Sequence, residues 1–396
     1  MGTAEVRSFD YPSVERVVFG AGALETVGAE CERLGGTRVL LLSTPSLRGT
    51  EIEERLSAAI GDALVGCLHE ASQHVPLAAV SSLIGAAAEL DPDMIVSLGG
   101  GSVIDSGKAL ATALAHGYSD AEQLYRHRIV FEYPDQISQD PFEGAPIPHL
   151  AVPTTLSAAE HDGIFGMTRA GTKDLYADPR LAPRVVALDP LATLSTPAAL
   201  WAGTGMRALD HAIEIYLSRT PTAPTDAACL QAIRLLFADL PASTEDPEAI
   251  EARMRCLEAA WLSMFGVENV TLGLSHGIGH QIGARCGVPH GITSCLMLPS
   301  VMELMLDAMP ERLADVAAAA GADVSGLGPR EAAALAPGRV RELIATLGLP
   351  SRLSEVGVGE ADFELIATDS MGDFVVAFAP VEVTKEDVLA LLAKAL

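Results

Sequence analysis

Lysine is scarce in this chain: 396 residues contain four, Lys108, Lys173, Lys385 and Lys394. Basic residues of both kinds number 26 against 52 acidic ones, giving a formal net charge of −26. Non-specific nucleic-acid binding relies on neutralising phosphates with Lys and Arg, and docking on anionic membranes draws on the same cations. The composition therefore argues against nucleic acid and membrane as partners. No stretch reaches the roughly 18 consecutive apolar residues of a membrane span. The opening segment, Met1 to Asp10, carries Glu5, Arg7 and Asp10 and no apolar signal core. Cysteine is thin as well: six residues are scattered without a CxxC pair. They read as reduced, packed thiols of a cytoplasmic protein. What the chain has in quantity is apolar residue, 49% of the total. That is enough for a sizeable core and too much for an acidic disordered chain.

The first half alternates short apolar runs with amphipathic stretches. Arg38–Ser43, Met94–Leu98, His149–Pro153 and Arg184–Leu188 are continuous enough to be strands buried on both faces. Glu51–Ile60 and Ala78–Leu90 between them carry helical periodicity. Such alternation predicts a parallel sheet wound with helices. From Pro197 onward the chain reads as helix rich in Ala and Leu. The expected architecture is an α/β domain over 1–190 and an all-α domain over 191–396. Gly117–Pro148, rich in Asp, Pro and Gln, reads as an irregular excursion.

Met94–Leu98 runs into Gly99-Gly100-Gly101-Ser102 and then a helical pattern carrying Asp105 and Lys108. A strand, a tight glycine turn and a helix aim backbone N–H groups and a positive helix end at one point, which suits a phosphate. The plain alternative is a strand-to-helix turn with Ser102 as N-cap. Asp105, three residues on, favours the helix start electrostatically. Pro153-Thr154-Thr155-Leu156-Ser157 ends another apolar run. Its hydroxyls suit a cofactor amide or ribose, or else local turn hydrogen bonds.

Three of ten histidines fall close together, His276, His280 and His290. The first two are spaced i,i+4 and share a helical face. A fourth, His211, lies in a helical stretch with Arg207, Asp210 and Glu214. Clustered imidazoles suit a divalent metal or proton transfer.

Taken together, Gly99–Lys108 (GGGSxxDxxK), Pro153–Thr155 (PTT), Asp189–Pro197 (DPxxTLxxP), Gly205–Glu214 (GMxALxHAIE) and His276, His280 and His290 (H-x3-H-x9-H) resemble the iron-containing alcohol dehydrogenase family. The resemblance implies the dehydroquinate synthase-like fold, with an α/β dinucleotide-binding domain and a helical domain. It also implies hydride transfer with NADH or NADPH in the cleft between them, and a homodimer. By the same resemblance Gly100, Gly101 and Ser102, with Asp105, belong to the pyrophosphate loop. Thr154, Thr155 and Ser157 line the nicotinamide side, and Lys173 reaches the cofactor ribose.

Two departures from the family pattern carry consequences. Metal-dependent members hold Fe2+ or Zn2+ with an Asp and three His, and the matching positions are Arg207, His211, His276 and His290. Arg stays protonated. Each unit charge pair at ~5 Å and an effective dielectric of ~20 is worth roughly 3 kcal/mol, so an arginine opposes a dication. Asp210 lies about 100° around the helix from His211 and is no simple substitute. If a metal binds, His211, His276 and His290 are its expected ligands. The second departure is Thr44, which stands where NAD-selective members have an Asp and so leaves NADPH admissible. With Ser72–Pro76, the lost aspartate is similar to the maleylacetate reductase branch. That likeness implies reduction of maleylacetate, or a similar unsaturated keto acid, to 3-oxoadipate without a tightly bound metal. His280 would donate the proton, Arg207 would clamp a carboxylate or stabilise an enolate, and His211, His276 and His290 would shape the pocket. The alternative is a metal-dependent alcohol dehydrogenase or aldehyde reductase.

Overall fold

A computed structural model describes residues 8–11, 13–132, 136–170 and 172–396. Met1–Arg7, part of the opening segment read above, and residues 133–135 of the 117–148 excursion lie outside the described residues. The strands are β1 (Arg16–Phe19), β2 (Val39–Leu42), β3 (Leu64–Leu68), β4 (Met94–Gly99), β5 (Val130–Glu132), β6 (Gln136–Ser138), β7 (His149–Pro153), β8 (Ile164–Arg169), β9 (Thr172–Ala177) and β10 (Val185–Leu188). Six of them form one parallel sheet in the order β1-β10-β7-β4-β2-β3. The four apolar runs read from sequence are β2, β4, β7 and β10, and every residue in them is buried. β1 and β3 at the edges are only partly covered. β8 and β9 make a separate antiparallel hairpin, and β5 pairs with β6.

Helices α1 (Val27–Arg33), α2 (Glu51–Ile60), α3 (Leu77–Leu90) and α4 (Gly101–Ala115) belong to the sheet half. After β10 the described chain is helical: α5 (Ala198–Tyr216), α6 (Ala223–Glu245), α7 (Ile250–Ser263), α8 (Leu274–Cys286), α9 (His290–Leu304) and six further helices from Pro310 to Ala395. α5 is the axis of this half. Trp201, Met206, Leu209 and Ile213 along it are fully buried, each contributing about 1.5–3 kcal/mol by burial. The Trp201 indole N–H donates to Ser243 Oγ on α6 at 3.0 Å. The six cysteines are unpaired.

The sheet order positions a ligand. From β2 the chain moves outward to β3, then returns past β2 to β4. The order reverses between β2 and β4, and in open α/β sheets ligands lie at the carboxyl ends beside such a reversal. Thr44 follows β2 there, and the glycine turn follows β4. Among the described residues no helix is long and apolar enough to cross a membrane.

Candidate active site

The glycine turn and the PTT segment face each other. Gly99 ends β4 at φ 154°, and Gly100 is the residue before α4. The cap is therefore Gly100 and not Ser102, and no side chain closes the helix end. A Cβ at Gly100 would lie 3.0 Å from Thr155, and one at Gly101 would lie 2.9 Å from Ser157 Oγ. Glycine is required for this approach. Thr154 N–H donates to the Gly99 carbonyl at 2.9 Å, which fixes the two loops together. Thr155 Oγ1 and Ser157 Oγ are buried without a hydrogen-bond partner, so the local turn bonds expected of them are not made. Buried hydroxyls are normally paired. An uncapped 15-residue helix with two orphaned hydroxyls beside it fits a dinucleotide: Gly100–Ser102 would hold the pyrophosphate and Thr154, Thr155 and Ser157 the nicotinamide side. Thr44 Oγ1, just after β2, bonds Ser46 Oγ at 2.8 Å.

Asp105 is not at the open helix end. Its Oδ2 accepts the Gly166 N–H at 3.2 Å, tying α4 to β8, and burial raises its pKa against the opposing charges of Lys108 and Lys173. Lys108 is fully buried, with Nζ donating to Asp162 Oδ1 at 2.9 Å and to the Ile164 carbonyl at 2.5 Å. Lys173 on β9 lies across Gly166, where a Cβ would be 2.1 Å from its Cε. Its Nζ is 3.3 Å from His290 Nε2. The family-implied ribose lysine thus stands at the junction of the cofactor crevice and the histidine group.

Close helix packing assembles the histidines. α5 and α9 meet backbone to backbone, since a Cβ on Gly291 would sit 2.1 Å from the Gly203 carbonyl oxygen. This sets His290 beside the turn of α5 that carries Arg207. On α8, a Cβ at Gly277 would collide with Val376 at 2.3 Å. The contact brings Asp373 to His280, whose Nδ1 donates to Asp373 Oδ2 at 3.0 Å. Ring centroids run His211–His276 4.8 Å, His276–His280 6.5 Å and His280–His290 6.0 Å. All four sequence-selected imidazoles are therefore neighbours.

Glu214 orients His276. Its carboxylate accepts the N–H groups of Gly273 at 3.0 Å, Ser275 at 2.6 Å and His276 at 3.2 Å, and the His276 Nδ1–H at 2.6 Å. This leaves His276 Nε2 bare, buried and unpartnered. Burial, reinforced by the Arg207 charge, holds His211 and His276 well below the usual imidazole pKa, and burial with Lys173 and Arg207 does the same for His290. His280 is lowered by burial too, but Asp373 works against the shift. Asp210 is pushed up to about 6 by burial, with Arg207 opposing.

Arg207 enters this group from α5. Nη1 is 3.5 Å from Ser294 Oγ and 3.9 Å from Asp210 Oδ2. The pair is long, and each charge works against the burial penalty on the other. Among the described residues, the one set of three or more ligand-type side chains with donor atoms within 4.8 Å of one another is Asp210, Glu214 and His276. The expected trio His211, His276 and His290 does not gather in that way. Asp210 contributes because it turns toward α8, where it accepts from Ser275 Oγ at 3.0 Å and lies 3.4 Å from His276 Nδ1. Glu214's orienting role, Asp373 and Lys108's buried pairing were not singled out from sequence. Each works through a partner more than 50 residues away, and no local spacing announces that.

The "Iron-containing alcohol dehydrogenase" family model matches residues 14–190, and the "Fe-containing alcohol dehydrogenase family, C-terminal" model matches residues 201–396. A 1,3-propanediol dehydrogenase of Citrobacter freundii is 32% identical over 93% of this chain and 93% of its own. Maleylacetate reductase 2 of Cupriavidus pinatubonensis is 34% identical over 78% of this chain and 77% of its own. A solved 1,3-propanediol oxidoreductase superposes with a TM-score of 0.90 at 29% identity, covering 98% of this chain and all of that one.

Proposed function

Because this chain belongs to the iron-containing alcohol dehydrogenase family and is an NAD-dependent oxidoreductase, we propose that it reduces maleylacetate or a similar unsaturated keto acid, and that it does so without a tightly held metal. The observation that carries this is Arg207, a cation among four imidazoles at the position where metal-dependent relatives place a carboxylate ligand. The identity to a maleylacetate reductase supports it. So does the state of the remaining donors. Glu214 accepts four N–H groups, three on Oε2 and one on Oε1, and the His276 nitrogen that faces it donates to it. Those atoms do not take a dication unless that network breaks, while the bare Nε2 of His276 still offers a lone pair.

Bound NADH would supply a hydride to the alkene carbon β to the substrate carbonyl. The protein then manages charge and protons. Arg207 donates N–H to the oxygen on which enolate charge develops, in a site largely closed to water. His280 delivers a proton to the α-carbon, which completes the saturated keto acid. Asp373, accepting from Nδ1, fixes the ring so that Nε2 is the delivering atom and favours its protonated form. His276 is held by Glu214 as a neutral wall, and Lys173 would keep the cofactor ribose in register with His290. The division into units near residue 190 and a homodimer belong to the same proposal.

Steady-state assays with NADH test it. Maleylacetate turnover should exceed that of propanal or 1,3-propanediol, and Arg207→Ala should lower kcat/KM for maleylacetate by ~100-fold or more. Equal turnover of the neutral substrates refutes it. A second reading, a metal-dependent alcohol dehydrogenase, is favoured by the proximity of Asp210, Glu214 and His276 and by the likeness to a 1,3-propanediol dehydrogenase.

A further inference from the structure

His74 and Val75, between β3 and α3, both have left-handed backbone, at φ 62° and 50°. Side chains with a Cβ avoid this region, a β-branched one most of all. Two such residues in succession persist only where surroundings over-determine them. Here they do. Thr168 Oγ1 donates to the His74 carbonyl at 2.7 Å, Thr168 N–H donates to the Val75 carbonyl at 2.9 Å, and Val75 N–H donates to the Ser72 carbonyl at 3.1 Å. Pro76 bridges to Thr168, and the Val75 side chain is buried in the core of the sheet half. The turn is thus clamped to the β8–β9 hairpin, in which Thr168 is the register partner of Lys173.

The clamp has one evident product. It delivers the His74 ring to the histidine group, edge-on to His290 at a centroid distance of 5.5 Å, beside the Lys173 ammonium. If the turn alone mattered, glycine would serve at position 74 without strain. The ring is also uncommitted. His276, His280 and His290 each have a side-chain partner, whereas the His74 ring nitrogens bond to none of the described residues. It is only partly buried. Charge defines what it meets. Lys173 and Arg207 are the cations around His290, and the imidazoles there are held neutral by burial. Asp105, Asp162 and Asp373 also act on Lys173, but Asp162 is paired with Lys108, Asp373 with His280 and Asp105 with the Gly166 N–H, so a ligand arriving at this rim is favoured when anionic.

We propose that His74 is a specificity-determining residue that hydrogen-bonds the second carboxylate of a dicarboxylate substrate, while Arg207 engages the reacting end. The inference deepens the anionic-substrate reading above and rests on it. It makes His74 the group that separates dicarboxylates from monocarboxylates and neutral aldehydes.

The test is calorimetric titration of the full-length protein, saturated with NADH, with maleate or with crotonate. Wild type should bind maleate. His74→Gly should bind it at least 10-fold more weakly, and the crotonate and NADH affinities should be unchanged. The same variant should melt no lower than wild type, because glycine relieves the left-handed backbone, so lost binding cannot be assigned to unfolding. His74→Asn, which tolerates that backbone and keeps an N–H donor, should recover part of the maleate affinity. Unchanged maleate affinity in His74→Gly, an equal loss for crotonate, a loss of NADH affinity instead, or a wild type that binds no maleate would each overturn it. A wild type that binds maleate through His74 but does not turn over maleylacetate removes the proposed reaction and leaves this inference standing.

Discussion

Lys108 and His280 show how single side chains here are defined by distant partners. Lys108 lies in the GGGSxxDxxK motif, yet its ammonium is spent inside the protein, on Asp162 and the Ile164 carbonyl. Removing one partner of a buried pair strands the other. Lys108→Met should therefore lose about 3–5 kcal/mol of stability, read from urea unfolding, and pairing it with Asp162→Leu should recover part of that. His280 makes a different prediction. As the proposed proton donor it must be protonated, burial lowers its pKa, and Asp373 raises it. Reductase activity should fall as pH rises through that pKa. Asp373→Asn removes the raising influence, so the falling limb of the kcat profile should move to lower pH. A limb that stays in place would show that another group supplies the proton.

At the scale of elements, the β4–α4 turn and the end of β7 work as one unit. Their legibility in sequence was uneven for physical reasons. β2, β4, β7 and β10 are covered on both faces and so read as unbroken apolar runs. The partly covered edges β1 and β3 carry no such run, and the β8–β9 hairpin mixes Thr, Lys, Asp and Tyr in the strand Thr172–Ala177. The glycine turn was legible because its backbone geometry demands glycine. The orphaned state of Thr155 and Ser157 was not, because it depends on what fails to approach them. Thr155→Val and Ser157→Ala should each raise the Kd for NADH by up to about 10-fold, since one hydrogen bond is worth ~0.5–1.5 kcal/mol. Thermal stability should hold or rise, since an unpaired buried hydroxyl is removed. Gly101→Ala should be more severe, because its Cβ would press on Ser157 Oγ at 2.9 Å. Fluorescence titration with NADH checks all three.

For the whole molecule, a net charge of −26 coexists with a cleft whose cations, Lys173 and Arg207, stand among neutral imidazoles. The acidic surface accounts for the bulk charge, and the cleft is arranged separately by helix packing. The histidine group was legible because motif spacing survives folding. The regrouping of donors into Asp210, Glu214 and His276 was not, since it follows from the docking of α5 on α8. Whether Arg207 has replaced a metal is the central claim, and metal analysis joined to activity tests it most directly. Wild type dialysed against chelator should contain well under one equivalent of metal and keep its NADH-dependent reduction of maleylacetate. Arg207→Asp should gain Fe2+ or Zn2+ and lose that activity. Activity that disappears on chelation and returns with Fe2+ or Zn2+ in the wild type would contradict the account.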